Sequence, residues 1–97
     1  MRSIRKQARA ELDLVDIWIY TCDRWSEEQA DRYLDELGSG IEQLRQHPEL
    51  GPRCDFIREG YRSLQVNRHV VYYTVGEFEV TVVRVLHQRM RPRLGGS

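Results

Sequence analysis

The sequence predicts a small α+β domain in which a strand and a two-helix hairpin precede a three-stranded meander, the order β-α-α-β-β-β. Three observations predict it. Eight of the nine valines lie at or after Val66, whereas residues 10–46 are rich in Leu, Ala, Asp and Glu, so helix formers come first and strand formers last. "SEEQ", residues 26–29, is a capping box that starts a second helix. Turn pairs at Asn67–Arg68 and Gly76–Glu77 divide the C-terminal half into three runs of strand character.

The elements follow in order. Residues 2–7, "RSIRKQ", read as an edge strand. From Ala10 to Trp25 the apolar positions Leu12, Val15, Ile19 and Cys22 step by three and four, giving one helical stripe. The tetrad Ile17, Trp18, Ile19, Tyr20 complicates it: at about 100° per residue, four consecutive apolar side chains point all round the helix, and at least one faces away from the sheet. A second helix packed on that side is the expected cover, and a partner surface is the alternative. In the second helix Ser26 accepts the Gln29 amide, Glu27 and Glu28 suit the positive end of the dipole, and Ala30, Tyr33, Leu34, Leu37, Ile41 and Leu44 form the buried stripe. Gly38 and Gly40 each cost that helix about 1 kcal/mol relative to alanine, so close packing against the first helix or a bend is expected there. "HPELGPRC" ends the helix through Pro48, Gly51 and Pro52. Strands are then expected at 61–66, 69–75 and 78–87, followed by a basic tail whose end, 91–97, is expected to be flexible.

Length and composition bound the function. A chain of 97 residues makes one domain, 1–97, burying ~65% of its unfolded surface. Leu, Ile, Val and Phe make up 25 residues, enough to fold. The formal charge is zero, which argues against a stand-alone nucleic-acid binder, since there is no global field to draw the chain onto phosphates. The zero is a cancellation: residues 1–10 carry a net +4, residues 11–50 a net −8 and residues 51–97 a net +4. An acidic helical side and a basic remainder are implied. Cys22 and Cys54 lack metal-ligand spacing, no apolar run approaches the ~20 residues of a membrane helix, and no phosphate loop or catalytic triad is visible. The expectation is a cytoplasmic protein with reduced thiols, no cofactor and no metal.

Several segments, in order, carry a resemblance: "DLVDIWIYT" (13–21), Trp25, "QADRYLDEL" (29–37), "HPELG" (47–51), "REGYRS" (58–63), "HVVYY" (69–73) and "RVLHQRM" (84–90). Together they resemble ParE toxins of the RelE/ParE toxin–antitoxin superfamily over nearly the whole chain. The resemblance implies an α-hairpin packed on a small antiparallel sheet, and toxicity by poisoning DNA gyrase rather than by cutting RNA. It also implies a ParD-like antitoxin that wraps the toxin and binds operator DNA through its own ribbon-helix-helix domain, so that this chain meets DNA there only through the antitoxin. Gly38 and Gly40 depart from the pattern, which usually keeps a helix former there.

On this resemblance the expected antitoxin contacts are Trp18, Tyr20, Arg62 and Arg84, and the expected gyrase contacts are Arg89, Arg91 and Arg93 in the basic tail. Each has a plain structural counterpart. Arg84, taken to share a strand face with Val82 and Leu86, can snorkel; Arg62 can pair with an acidic residue on the hairpin; the tail can serve solubility. The competing reading is a ribosome-dependent mRNA interferase of the RelE kind, with His87 as base and Arg62 and Arg84 stabilising the phosphorane. A plain role for His87 is a sheet-end imidazole bonded to backbone or to a carboxylate. Residues 88–97 contain no aromatic to complete that site, so no catalytic residue is assigned. A third reading is a non-toxic homologue that only titrates an antitoxin.

Overall fold

The computed structural model describes residues 1–90 and 92. The chain runs through β1 (Ser3–Lys6), α1 (Ala8–Arg24), α2 (Glu27–Glu42), a short 3-10 turn (Gln43–Arg45), β2 (Arg62–Val66), β3 (His69–Val75) and β4 (Glu79–His87). The strands form one sheet in the order β1-β4-β3-β2. β2, β3 and β4 are the expected antiparallel meander, with Asn67 at φ 56° in the first turn, a conformation that asparagine tolerates better than most residues. β1 joins the edge of β4 in parallel, Ile4 beside Val80, so the sheet as a whole is mixed.

Both faces of the sheet are covered. On one, Val71, Tyr73, Val80, Val82 and Val85 pack with Ala10 and Ile17 of α1 and Leu37, Ile41 and Leu44 of α2 and the following turn. On the other, a smaller cluster joins Tyr72 and Leu86 to Cys54 and Tyr61 of the loop between the 3-10 turn and β2. Val82 and Val85 belong to the same cluster although three residues apart, because the register slips between Tyr72 and Tyr73 and leaves Val83 as an extra residue on β4. Such a bulge shifts the side-chain alternation by one. Val82 and Leu86 consequently lie in different clusters, and the expectation that Arg84 shares a face with both is corrected.

The helix signals in α2 act locally. The Ser26 side chain accepts the Gln29 amide at 3.1 Å, and Ala30, Leu37, Ile41 and Leu44 are buried on the expected stripe. The two helical glycines behave differently. A Cβ on Gly40 would lie 2.6 Å from Val66 Cγ2, so Gly40 permits close approach of β2 rather than of α1. A Cβ on Gly38 would meet nothing within 4 Å.

The loop after α2 is held by Tyr73. Its hydroxyl, fully buried, donates to the Pro48 carbonyl at 2.7 Å and accepts the Gly51 amide at 2.9 Å. Gly51 has no room for a side chain, since a Cβ would lie 2.5 Å from the Ser63 carbonyl oxygen. Burial of the Tyr73 hydroxyl pushes its pKa upward, so it stays a donor.

The glycine pair supplies a direct test. Gly38→Ala should stabilise the chain by about 0.5–1 kcal/mol by chemical denaturation, because helix propensity is gained at no steric cost. Gly40→Ala should destabilise it, because the gain is outweighed by the displacement of Val66.

Candidate functional site

The outer face of α1 is the largest departure from the sequence reading. At about 100° per residue, Ala10 and Ile17 mark the side turned to the sheet, and Leu12 and Ile19 fall on the opposite side. Leu12, Val15 and Ile19 are 62%, 52% and 49% exposed. The expected cover by a second helix is thus corrected: α2 reaches only the flank of α1, where the Trp18 indole N–H donates to Asp31 Oδ1 at 2.9 Å and Trp18 is half-buried. Tyr20 is exposed, with the Arg24 guanidinium 5.4 Å from its ring centroid. Trp25 continues the apolar surface beyond the helix end, 71% exposed. Isolated exposed aliphatics are ordinary, but a row of three along one helix, with two aromatics beside it, marks a surface built for contact.

Asp13 explains why α1 sits in this rotation. Its carboxylate accepts Arg84 Nε at 2.7 Å and Nη2 at 2.9 Å, and also the Val85 amide at 3.0 Å. The pair is largely buried, the side chains being 19% and 13% exposed for Arg84 and Asp13. The Asp13 hydrogen bonds raise the Arg84 pKa further, so the guanidinium is charged throughout. Arg84 therefore ties β4 to α1 through its Nε and Nη2 donors.

Arg62 is also engaged, but not with an acidic residue of the hairpin as expected. Its guanidinium donates to the Gly51 carbonyl at 2.8 Å and lies 3.5 Å from that of Glu49, bracing the proline–glycine loop against β2. Arg62 thus serves one edge of the sheet and Arg84 serves α1.

His87 faces His69 across the β3–β4 ladder, the rings meeting edge-on at 5.5 Å. Its Nδ1 accepts the Arg89 amide at 3.2 Å. The Tyr33 hydroxyl and His69 Nδ1 share a hydrogen bond at 2.6 Å, and the hydroxyl also accepts the Arg68 amide at 3.2 Å. Burial, helped by the nearby His87, lowers the His69 pKa from 6.5 to about 4. Arg89 is exposed; Arg91 and Arg93 lie outside the described residues. Among the described residues no group of three or more His, Cys, Asp or Glu side chains can hold a metal ion. No helix there is long and apolar enough to cross a membrane.

The structure thus brings Trp18 and Tyr20 to one helix and separates Arg62 from Arg84. Leu12, Val15 and Ile19 were visible as a stripe, but their outward direction was not. The signal that could have given it is Asp13: a carboxylate on the opposite side of the helix, 71 residues from an arginine in the last strand.

Two measurements follow from this geometry. Asp13→Ala should cost about 3 kcal/mol in denaturant, since it leaves a buried guanidinium and the Val85 amide unpaired, whereas replacing both partners, Asp13→Leu with Arg84→Met, should cost less. For His69 the sign is that of a depressed imidazole: the folded chain resists protonation, so its contribution is complete above pH 6.5 and is lost as the pH falls from about 6.5 to about 4. Denaturation at pH 7 and pH 4.5 should show that loss, and His69→Gln should reduce it.

Comparison with known proteins identifies the family. Residues 4–92 match the family model described as the ParE toxin of the type II toxin–antitoxin system parDE. Toxin ParE1 of Mycobacterium tuberculosis (strain CDC 1551 / Oshkosh) is 48% identical over 82 residues, 84% of each chain. Toxin ParE1 of Caulobacter vibrioides is 44% identical over 93 residues, 96% of each chain. A solved structure of a chromosomal ParDE system from P. aeruginosa superposes with a TM-score of 0.80 at 19% identity, over 90% of this chain and 96% of that one, and so shares the fold. A match over nearly the whole length, with relatives at this identity, places the chain in the ParE toxin family of type II toxin–antitoxin systems.

Proposed function

We propose that the chain acts as a toxin by docking onto DNA gyrase and blocking its turnover, and that a ParD-like antitoxin neutralises it by covering the outer face of α1. The observation that carries the second half is the uncovered row Leu12, Val15 and Ile19, with Trp18, Tyr20 and Trp25 around it. Aromatic and aliphatic anchors of this kind supply most of the binding energy in protein interfaces. A solved relative in fold comes from a ParDE system, in keeping with a partner of that class. The rim of this surface is mainly acidic, with Glu11, Asp16, Asp23 and Asp31 exposed against Arg9 and Arg24, so it favours an antitoxin segment with cationic residues beside its apolar anchors. Of the expected antitoxin contacts, Trp18 and Tyr20 stay in this proposal; Arg62 and Arg84 leave it, their guanidinium groups serving the fold.

The first half, inhibition without chemistry by this chain's own side chains, is supported by the family and by the same two arginines. In-line attack by a ribose hydroxyl needs a base and cations converging on one phosphate. Arg62 holds a loop, Arg84 holds a helix, and His87 meets His69 edge-on with one nitrogen taken by the Arg89 amide. The gyrase contact is proposed for the cationic end of the chain, Arg89 with Arg91 and Arg93.

Purified gyrase should lose supercoiling activity, or accumulate cleaved DNA complexes, when this protein is added, and a ParD-like antitoxin encoded beside it should restore turnover. Unaffected supercoiling would contradict the proposal. The interferase reading makes the opposite forecast: transcripts cut in translating ribosomes, with His87→Ala slowing the cut at least ~100-fold.

A further inference from the structure

Where the chain leaves the sheet, residues 87–90 form a β-turn, closed by the Met90 amide donating to the His87 carbonyl at 2.8 Å. Within it His87 Nδ1 accepts the Arg89 amide at 3.2 Å, so the imidazole bonds the backbone two residues ahead. Asparagine and aspartate side chains make the same bond at the first position of such turns. The turn is also pinned from outside, since the Gln88 amide donates to the Arg68 carbonyl at 2.8 Å and the Gln88 side chain accepts from Gln65 Nε2 at 2.7 Å. Behind the imidazole stand His69 of β3, edge-on at 5.5 Å, and Tyr33 of α2, which shares a hydrogen bond with His69 Nδ1. The ring is thus backed by the sheet and the hairpin while its Nδ1 holds the departing chain.

We propose that His87 is a positioning residue for the gyrase contact: its imidazole fixes the turn that presents Arg89, the first cation of the C-terminal end. The inference rests on the gyrase contact proposed above. Arg89 is exposed, and its guanidinium has no hydrogen bond or ion pair among the described residues, so it is open to a partner. A cation carried on a formed turn binds better than the same cation on a loose chain, because less conformational freedom is lost on docking. The task set for residue 87 is to place one hydrogen-bond acceptor in front of the Arg89 amide. No proton transfer is involved.

Two substitutions at this position separate an acceptor from bulk and from a base. His87→Asn keeps an acceptor within reach of the Arg89 amide but is no general base, whereas His87→Leu keeps bulk and has no acceptor. In supercoiling assays with purified gyrase, His87→Asn should inhibit about as well as the wild-type chain. His87→Leu should need a concentration roughly three- to tenfold higher, as the loss of one neutral hydrogen bond implies. Amide hydrogen exchange by NMR on the same full chains, without gyrase, should show Arg89 slow in the wild type and in His87→Asn, and faster by a similar factor in His87→Leu. Unchanged exchange along β3 shows that each variant is folded. Inhibition kept by His87→Leu and lost in His87→Asn would make the side chain a packing element; equal loss would point to the imidazole itself, and equal retention would leave it no role. Each of these overturns the proposal. An inert wild-type chain with the expected exchange pattern would overturn the gyrase contact while leaving His87 as the holder of the turn, whereas an active chain with Arg89 exchange indifferent to His87→Leu would overturn the positioning alone.

Discussion

The contact between Asp13 and β4 sets the direction of everything outside the core. Apolar residues occur all round α1: Leu12, Val15 and Ile19 face out, while Ala10 and Ile17, with Leu14 packed beside them, face the core. Hydrophobic burial alone would not choose the observed rotation. A carboxylate that takes two bonds from one guanidinium and a third from a backbone amide does choose it, because any other rotation would leave Arg84 and the Val85 amide without partners inside the structure. The consequence is a helix with a second apolar side that faces out.

That constraint links the fold to the proposed activity. A toxin held in check by a partner needs a surface that is stable while bare and adhesive when met. Here the core is complete without the outer row, since the buried clusters close on both faces of the sheet using α2, the inner side of α1 and the loop before β2. The outer row is thus available for binding rather than for folding. Their hydrogen bonds give Arg62 and Arg84 a place in the framework.

Much of this was legible in the sequence, for local reasons. The Ser26 half of the capping box, the stripe of α2, the turn at Asn67–Arg68 and the valine-rich strands are all written in neighbouring residues, and they appear where expected. What could not be read depended on partners far along the chain. β1 lies parallel to β4, more than seventy residues away, and nothing in "SIRK" names that partner. The extra residue at Val83 sits in an unbroken run of β-branched residues, with no glycine to announce a bulge. Gly40 looked like a feature of helix–helix packing, yet its neighbour is Val66 of a strand. The rotation of α1 was hidden for the same reason, since one helix offered two apolar sides and the arginine that decides between them lies in the last strand.

Comparing two substitutions on α1 tests that central point most directly. Val15→Asp and Ile17→Asp place the same charge two residues apart on the same helix, and their unfolding free energies can be compared. Val15→Asp should change stability by no more than about 0.5 kcal/mol, and Ile17→Asp should cost upwards of ~3 kcal/mol or prevent folding, as a charge buried without a partner does. Equal costs, or a greater cost at Val15, would mean that α1 presents its other side to the sheet and that the outward apolar row does not exist.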